Sequence, residues 1–522
     1  MTSKLYRPDT HVTAANEPLL PLSVYGAGYV GLVTAACFAE LGHVVLCMDT
    51  DVARVAQLAR GQLPFHEPGL EDLIVRNGRR GRLRFTNDAD AAVAHGDVQF
   101  ICVGTPCGRD GNADLRYVMD VARQIGAGLH REALVVCKST VPVGTTGQVR
   151  QVVQSELARR GVKELRFAVA SNPEFLKEGS AVDDFMHPDR VVAGADDPRS
   201  IDTLRRLYAP LIERPEQWLP MSIRSAEMAK YACNAMLAVR VSVMNEFALL
   251  AETLQVDIED VRRSMAGDPR IGSMFLSPGC GFGGSCLPKD IRAMQRTAQE
   301  QGVGLPTLAA VEQTNQRQKG LLARRVIELF GGTLAGRRIA LWGLAFKPGT
   351  DDLRDAPSEV LIGLLTAAGA EVVVHDPVAM PAARRQHGHV RSLAFAIDAM
   401  TAVEGADALL IATEWPEYKQ ADWTAVHARM AAPYVFDGRN ICDPARMASL
   451  GFNYRGIGRM QFERFAATPA GSPARTREPV VRSVVPSAPV TLINAISRAQ
   501  AQRRRFAAAA GGFAPARARA VL

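Results

Sequence analysis

The stretch Gly283-Gly284-Ser285-Cys286-Leu287-Pro288-Lys289-Asp290 concentrates the most chemistry in this chain. Its paired glycines let a ligand or another backbone come close. A helix beginning near Pro288–Asp290 would start directly after Cys286. A helix N-terminus and a neighbouring lysine both lower a thiol's pKa, and the thiolate is the nucleophile. Cysteine is otherwise often a small buried apolar residue. The glycines, the helix start and the two charged neighbours favour a nucleophile at Cys286. Cys280, without a helix start, reads as structural.

Two further groups could serve that thiol. Glu227, Lys230 and Asn234 are spaced i, i+3, i+7 in a run predicted to be helical, so they share one face. Lys230 and Asn234 sit among Tyr231, Ala232, Ala235, Met236 and Leu237, where a lysine needs a partner or a function. A lysine snorkelling at a domain boundary is the bland alternative. Glu174 and Glu178, in SNPEFLKEG, are four residues apart. If that stretch is helical they share a face, and one can be raised in pKa for acid–base work.

A third group reads as a dinucleotide site. Gly26-Ala27-Gly28-Tyr29-Val30-Gly31 fits G-x-G-x-x-G between an apolar run and a helix-competent one, and Asp49 follows 18 residues after Gly31. Gly26 permits the tight turn, Gly28 lets the backbone approach a pyrophosphate, and Gly31 lets helix pack on strand. The helix N-terminus then stabilises phosphate charge. Asp49 stands where an acid accepts from the ribose hydroxyls, which favours NAD over NADP. VGTP at 103–106 and KSTVPVGTT at 138–146 end two more predicted strands, where Thr140 could position a water or a carboxamide.

These groups need a scaffold. Apolar runs at 22–25, 44–48, 98–103, 134–137, 167–170 and 190–193 alternate with helical stretches, which predicts a doubly wound parallel sheet. Residues 224–254 hold neither Gly nor Pro and read as one long helix, apolar around most of its circumference, with Ser225 as N-cap. Helix continues at about 290–301 and 306–330. Strand–helix alternation resumes at 339–342, 372–375, 408–412 and 434–437. The expected fold is α/β: two doubly wound Rossmann-like domains joined by a long central helix and helical connector. The expected division is an N-terminal extension at 1–20, an NAD-binding domain at 21–210, a helical dimerisation region at 211–330, a second α/β domain at 331–464, given its ligand by the resemblance below, and a disordered basic tail at 465–522.

Net charge is +7 over 522 residues, but residues 466–522 carry nine Arg and one Glu, so the remainder is near −1. Basic charge confined to a tail weakens any nucleic-acid reading. Nine cysteines without regular spacing read as reduced thiols, and neither a signal peptide nor an apolar run of the ~18 residues that span a bilayer is evident. A cytoplasmic, membrane-free enzyme without a metal is expected.

The ordered motifs GAGYVG, FHEPGLEDLI, VGTP, KSTVPVGTT, SNPEFLKEGSAVDDFMHPDRVVAG, AEMAKYACNAMLAVRVSVMNE, DPRIG, GFGGSCLPKD, WGLAFKPGTDDLRDAPS and DGRN resemble the UDP-glucose/GDP-mannose dehydrogenase family over about 21–460. The resemblance implies a four-electron oxidation of UDP-glucose to UDP-glucuronate with two NAD. Cys286 would capture the aldehyde as a thiohemiacetal, then carry a thioester. Lys230 would stabilise the oxyanion, Asn234 hold a sugar or thiohemiacetal oxygen, Asp290 and Thr140 bind water, and Glu174 act as base in hydrolysis. Cofactor contacts would come from Gly26, Gly28, Tyr29, Val30, Gly31, Asp49, Thr105, Thr140, Glu178, Lys289 and Arg354. Substrate contacts would come from Glu174, Phe175, Leu176, Lys230, Asn234, Arg270, Phe275, Gly283, Phe346, Lys347 and Arg439, with Arg270 reaching in from a neighbouring subunit of a homodimer or larger oligomer. WGLAFK lacks G-x-G-x-x-G, so the second α/β domain should hold the UDP half and no dinucleotide. Tyr25, the N-terminal lead and the tail depart from the family pattern.

The runner-up substrate is GDP-mannose, with the same cysteine chemistry. A two-electron hydroxyacid dehydrogenase would need no nucleophilic cysteine and no second α/β domain. A nucleotide-sugar sensor with a retired site is disfavoured by the intact Cys286, Lys230, Glu174 and Asp290.

Overall fold

The computed structural model describes residues 19–108, 111–162 and 164–460. The proposed tail, and the lead up to residue 18, lie outside the described residues.

The first sheet takes β1 (Pro21–Tyr25), β2 (Val44–Met48), β3 (Leu83–Thr86), β4 (Val98–Ile101), β5 (Ala133–Cys137), β6 (Phe167–Ser171), β7 (Val191–Ala195) and β8 (Trp218–Met221) in the order β3-β2-β1-β4-β5-β6-β7-β8. All its pairings are parallel except β6 with β7. Helices cover both faces, which is why the strands are apolar on alternate and intervening residues alike. Leu22, Val24, Val45 and Phe100 face Leu32, Ala36 and Phe38 of the helix Tyr29–Glu40, while Tyr25, Ile101 and Val135 face Val118, Ile125 and Val153. Phe38 is fully buried against Phe100, Phe185 and Tyr208, a burial that contributes about 1.5–3 kcal/mol. Tyr25 fits beneath the turn because its hydroxyl donates to Gln99 Oε1 at 2.6 Å.

The second sheet takes β9 (Arg338–Trp342), β10 (Glu371–His375), β11 (Leu393–Phe395), β12 (Ala408–Ile411), β13 (Tyr434–Asp437) and β14 (Asn453–Arg455) in the order β11-β10-β9-β12-β13-β14, parallel throughout. In both sheets the strand order reverses beside the first strand, and a ligand crevice forms outside the strand ends at such a switch point.

The long helix runs Ile223–Leu254. Ser222, not Ser225, caps it, accepting from the Ser225 N–H at 3.2 Å. The expected cap falls three residues late because Ile223 and Arg224 already lie in the first turn. By length and composition this helix could cross a membrane. It buries Glu227, Lys230, Asn234 and Asn245, each in a polar contact with another part of the fold. It also packs on the helices Leu287–Glu300 and Pro306–Lys319, as a core helix does. The predicted helix 306–330 is broken at Gly320 into Pro306–Lys319 and Leu321–Leu329.

Candidate active site

Both domains begin with the same turn. Gly26 (φ 101°) and Gly343 (φ 93°) each leave the first strand in the left-handed region. Their N–H groups donate to Met48 and His375 carbonyls, at 2.8 and 2.9 Å. An acid then closes each turn: Asp49 accepts from Ala27 N at 2.7 Å, and Asp376 from Leu344 N at 2.7 Å. From there the two diverge. In the first domain the helix Tyr29–Glu40 starts at once, with no side chain capping it, so its leading N–H groups stay available to an anion. A Cβ on Gly28 would meet nothing within 4 Å, whereas one on Gly31 would lie 1.7 Å from Gly26 O. Gly28 therefore leaves room for a phosphate and Gly31 serves helix packing, a cradle that fits a dinucleotide. In the second domain the next helix, Pro357–Ala367, starts 14 residues after Gly343. Buried Asp376 is consumed there by Leu344, Ala345, Val378, Ala379 and Trp415. That turn offers a ribose no free acid and a phosphate no helix start.

The long loop after Gly343 instead crosses to the first domain. Tyr29 stacks on Phe65 at 3.9 Å, donates to His66 O and contacts Thr350 Oγ1 at 2.9 Å. Asp351 accepts from His66 N. Gly284 N donates to Arg354 O at 2.8 Å, and a Cβ on Gly283 would lie 2.4 Å from Asp355 O. The result is one cleft of about 1450 Å3 lined by Gly26, Gly28, Tyr29, Val30, Asp49, Thr105, Thr140, Glu174, Leu176, Glu178, Cys286, Lys289 and Arg354. Thr105 and Thr140 are joined by a 2.8 Å bond from the Thr105 hydroxyl to the Thr140 carbonyl.

Cys286 is the N-cap of the helix Leu287–Glu300. Behind the cleft wall, Lys230 Nζ lies 3.0 Å from Glu174 Oε1, with both side chains about 5% exposed or less, and Glu174 Oε2 accepts from Leu176 N at 2.6 Å. Asn234 donates to Asp290 Oδ2 at 2.6 Å, and Lys289 pairs with the other Asp290 oxygen. Burial pushes Glu174 up, but the charge and hydrogen bond of Lys230, the Leu176 N–H and the Lys138 charge together outweigh it and hold the carboxyl below its usual range. Burial likewise pulls Lys230 down, yet Glu174, Cys286 and Asp290 leave it raised.

Several expectations are corrected here. The Cys286 thiol is raised, not lowered: burial leads and Glu174 adds to it, beyond what Lys230 and Lys289 take away. Residues 172–177 are not helical, so Glu174 and Glu178 do not share a helix face. The carboxyl that is raised is Glu178, to about 7, by burial and then by Asp352. Glu227 is spent on structure, accepting from Gly144 and Thr146 N–H groups at 2.6 and 2.8 Å, where it ties the long helix to the KSTVPVGTT loop.

The remaining candidates divide. Phe346 and Arg439 meet, with Arg439 Nη2 3.4 Å from Phe346 O, and Lys347 lies over the Phe346 ring. The Phe346 ring also covers Gly284, whose added Cβ would be 2.8 Å away. Phe175 carries the Arg190 guanidinium 3.9 Å above its ring, with Lys230 Nζ at 5.2 Å. Arg270 and Phe275 do not line the cleft. Arg270 is 88% exposed and paired with Asp268, and Phe275 adopts φ 59° on a loop that Arg240 grips through the Ile271, Gly272 and Met274 carbonyls.

Sequence reasoning missed four contributors. Arg54 lies 3.3 Å from Asp49. Glu67 is buried, accepts from Gly179 and Ala181 N–H groups, and is raised to about 7 by burial. Lys138 is buried against Asn172 and Tyr208, and burial lowers it to about 8. Ser285 bridges Glu178 and Cys286. The acid in FHEPGLEDLI and the lysine opening KSTVPVGTT were visible as charges in apolar surroundings. Nothing local marked Ser285 or Arg54.

Three profiles of one family match in order along the chain: its NAD binding domain at residues 21–212, its central domain at 224–317 and its UDP binding domain at 340–444. The chain belongs to the UDP-glucose/GDP-mannose dehydrogenase family. It is 53% identical over 441 residues to a UDP-glucose 6-dehydrogenase of Pseudomonas aeruginosa, covering 84% of this chain and 97% of that one. It is 42% identical over 443 residues to the Rhizobium meliloti UDP-glucose 6-dehydrogenase, covering 84% and 100%. Among solved structures it is similar to a UDP-glucose dehydrogenase from Pyrobaculum islandicum, with TM-score 0.77, 40% identity and 85% and 98% coverage. As a member of this family the chain is an NAD-dependent oxidoreductase, and the cradle at Gly28 lies within the matched NAD binding domain.

Proposed function

We propose that this chain oxidises UDP-glucose to UDP-glucuronate in two hydride transfers, with Cys286 as covalent nucleophile. The observation that carries the reading is the placement of Cys286, a helix N-cap, on the wall of the cleft that opens onto Gly28 and Asp49. NAD bound there would accept hydride from the C6 alcohol, and a second NAD from the thiohemiacetal.

The chain's own groups supply the rest. The protonated Lys230 offsets charge on the C6 oxygen as it develops. Asn234 holds a sugar or thiohemiacetal oxygen, and Asp290 with Thr140 orients water. Glu174, kept ionised by its ion pair, takes the proton of the water that hydrolyses the thioester. Phe346, Lys347 and Arg439 hold the UDP, and Phe175, Leu176 and Gly283 border the sugar. Glu178, Lys289 and Arg354 face the cofactor.

Arg270 and Phe275 serve a neighbouring subunit's site in this reading. Support comes from the exposed Arg270 and from Met228, Met236, Leu250 and Leu254, which are 44–62% exposed on the long helix and suited to an isologous interface. Nine cysteines, none of them in a disulfide, suit a reducing cytosol. In this proposal the functional units span 21–210, 211–330 and 331–464.

The test is a substrate panel. UDP-glucose, UDP-N-acetylmannosamine and GDP-mannose are each offered with NAD, and kcat/KM is compared. UDP-glucose should lead by at least about a hundredfold, since a site built to pair substrate hydroxyls rejects analogues that leave its polar groups unpaired. A lead for either other sugar overturns the assignment.

A further inference from the structure

Cys286 needs a base, because its surroundings hold it protonated. The two carboxylates beside it make no hydrogen bond to the sulfur: Glu174 pairs with Lys230 and the Leu176 N–H, Asp290 with Lys289 and Asn234. Among the described residues the hydrogen-bond contact of the Cys286 sulfur is Ser285 Oγ, at 3.5 Å. That hydroxyl donates in turn to Glu178 Oε1 at 2.8 Å. A hydroxyl that donates to a carboxylate keeps its lone pairs for an S–H donor.

We propose that Ser285 and Glu178 form a proton relay that activates the Cys286 thiol. This rests on Cys286 being the nucleophile. The Cys286 proton passes to Ser285 Oγ while the Ser285 proton passes to Glu178 Oε1. The sulfur lone pair then forms the bond to the aldehyde carbon, and the carbonyl pair moves onto oxygen, facing the Lys230 ammonium. No electrons leave the pair of reactants in this step, and the proton waits on Glu178.

The surroundings of Glu178 suit that role. Besides a side-chain contact with Asp352, Glu178 has two long contacts, Arg354 Nη2 at 3.4 Å and Thr350 Oγ1 at 3.4 Å. Arg354 is held by a closer two-pronged pairing with Asp352, and its charge lowers the Glu178 carboxyl by less than burial and Asp352 raise it. The charged or titratable groups facing Glu178 are Asp352, Arg354, Lys347 and Tyr29. Those facing Cys286 are Glu174, Lys230, Lys289, Asp290 and Arg354. Burial and Asp352 bring the Glu178 carboxyl to about 7, where a base works best at neutral pH.

The test reads the thiol directly. Full-length enzyme without cofactor is alkylated with iodoacetamide across pH, and modification of the Cys286 peptide is timed by mass spectrometry. Wild type should show an inflection near 7 and a second rise at alkaline pH. Ser285→Ala and the nearly isosteric Glu178→Gln should both lose the first inflection, reacting about tenfold or more slowly at neutral pH. Both should converge on wild type once the thiol ionises by itself, which a merely structural defect would not produce. Ser285→Thr, which keeps the hydroxyl, should restore the inflection. Wild-type profiles in both Ser285→Ala and Glu178→Gln overturn the relay. Turnover of UDP-glucose by Cys286→Ala separates the two claims: an active variant overturns the nucleophile itself, whereas an inactive one with unchanged alkylation profiles overturns only the relay.

Discussion

Removing Lys230 should unbalance the protein and its chemistry together. The Lys230–Glu174 pair spans 3.0 Å with side chains 5% and 4% exposed. Taking one partner from a buried pair leaves an uncompensated charge, which costs about 3–5 kcal/mol. Lys230→Met should therefore lower unfolding free energy by that order at neutral pH, as should Glu174→Gln. The double variant should recover much of the loss, because two neutral side chains leave no buried charge behind. Glu174 is depressed in the folded protein, so its share is present above its ordinary 4.5 and lost as pH falls through the folded value. Lys230 is raised, so its share is present below its ordinary 10.5 and lost as pH rises through the folded value. The full coupling is thus expected between those limits. Turnover in Lys230→Met should fall about 10²–10³-fold, the usual loss for one oxyanion-stabilising group. Urea unfolding of the three variants at neutral pH, with kcat measured alongside, is the assay. Single-variant losses that simply add in the double variant would refute the pairing.

Other outcomes follow from the same geometry. Cys286→Ser should allow capture of the aldehyde and stall before product release, because an ester hydrolyses less readily than a thioester; wild-type turnover would remove Cys286 from the reaction. NAD should be strongly preferred to NADP, because Asp49 repels a 2′-phosphate, although Arg54 at 3.3 Å tempers that repulsion; equal kcat/KM for both cofactors would contradict the role. Mixing Arg270→Ala with Cys286→Ala subunits should restore activity, because one site of the mixed dimer would be intact; no recovery after verified subunit exchange would mean that each subunit builds its site alone.

The fold was legible where patterns were long. Central strands such as β1, β4 and β12 stood out as buried apolar runs. The missed strands β3, β8, β11 and β14 are short, and all lie at sheet edges. LRFT and NYR alternate with charged or polar residues, and Pro220 sits in β8. The site was legible where residue type and setting together betray a role, as with Cys286 after glycines, Lys230 on an apolar helix and Asp49 after a strand. What stayed hidden arises from tertiary contact. The pKa order of Glu174 and Glu178 depends on Lys230 and Asp352, which are 56 and 174 positions away along the chain respectively. The raised thiol reflects enclosure that no local motif encodes. The crossing of the 344–356 loop to Tyr29 was likewise invisible, because WGLAFK announced only a missing glycine pattern.

A four-electron oxidation through one cleft must reduce two NAD for each sugar. Counting NADH formed per UDP-glucose consumed, in a reaction run to completion, tests it most directly. A value near two is expected, with UDP-glucuronate as the product. A value near one, with an aldehyde or ketone released, would contradict it.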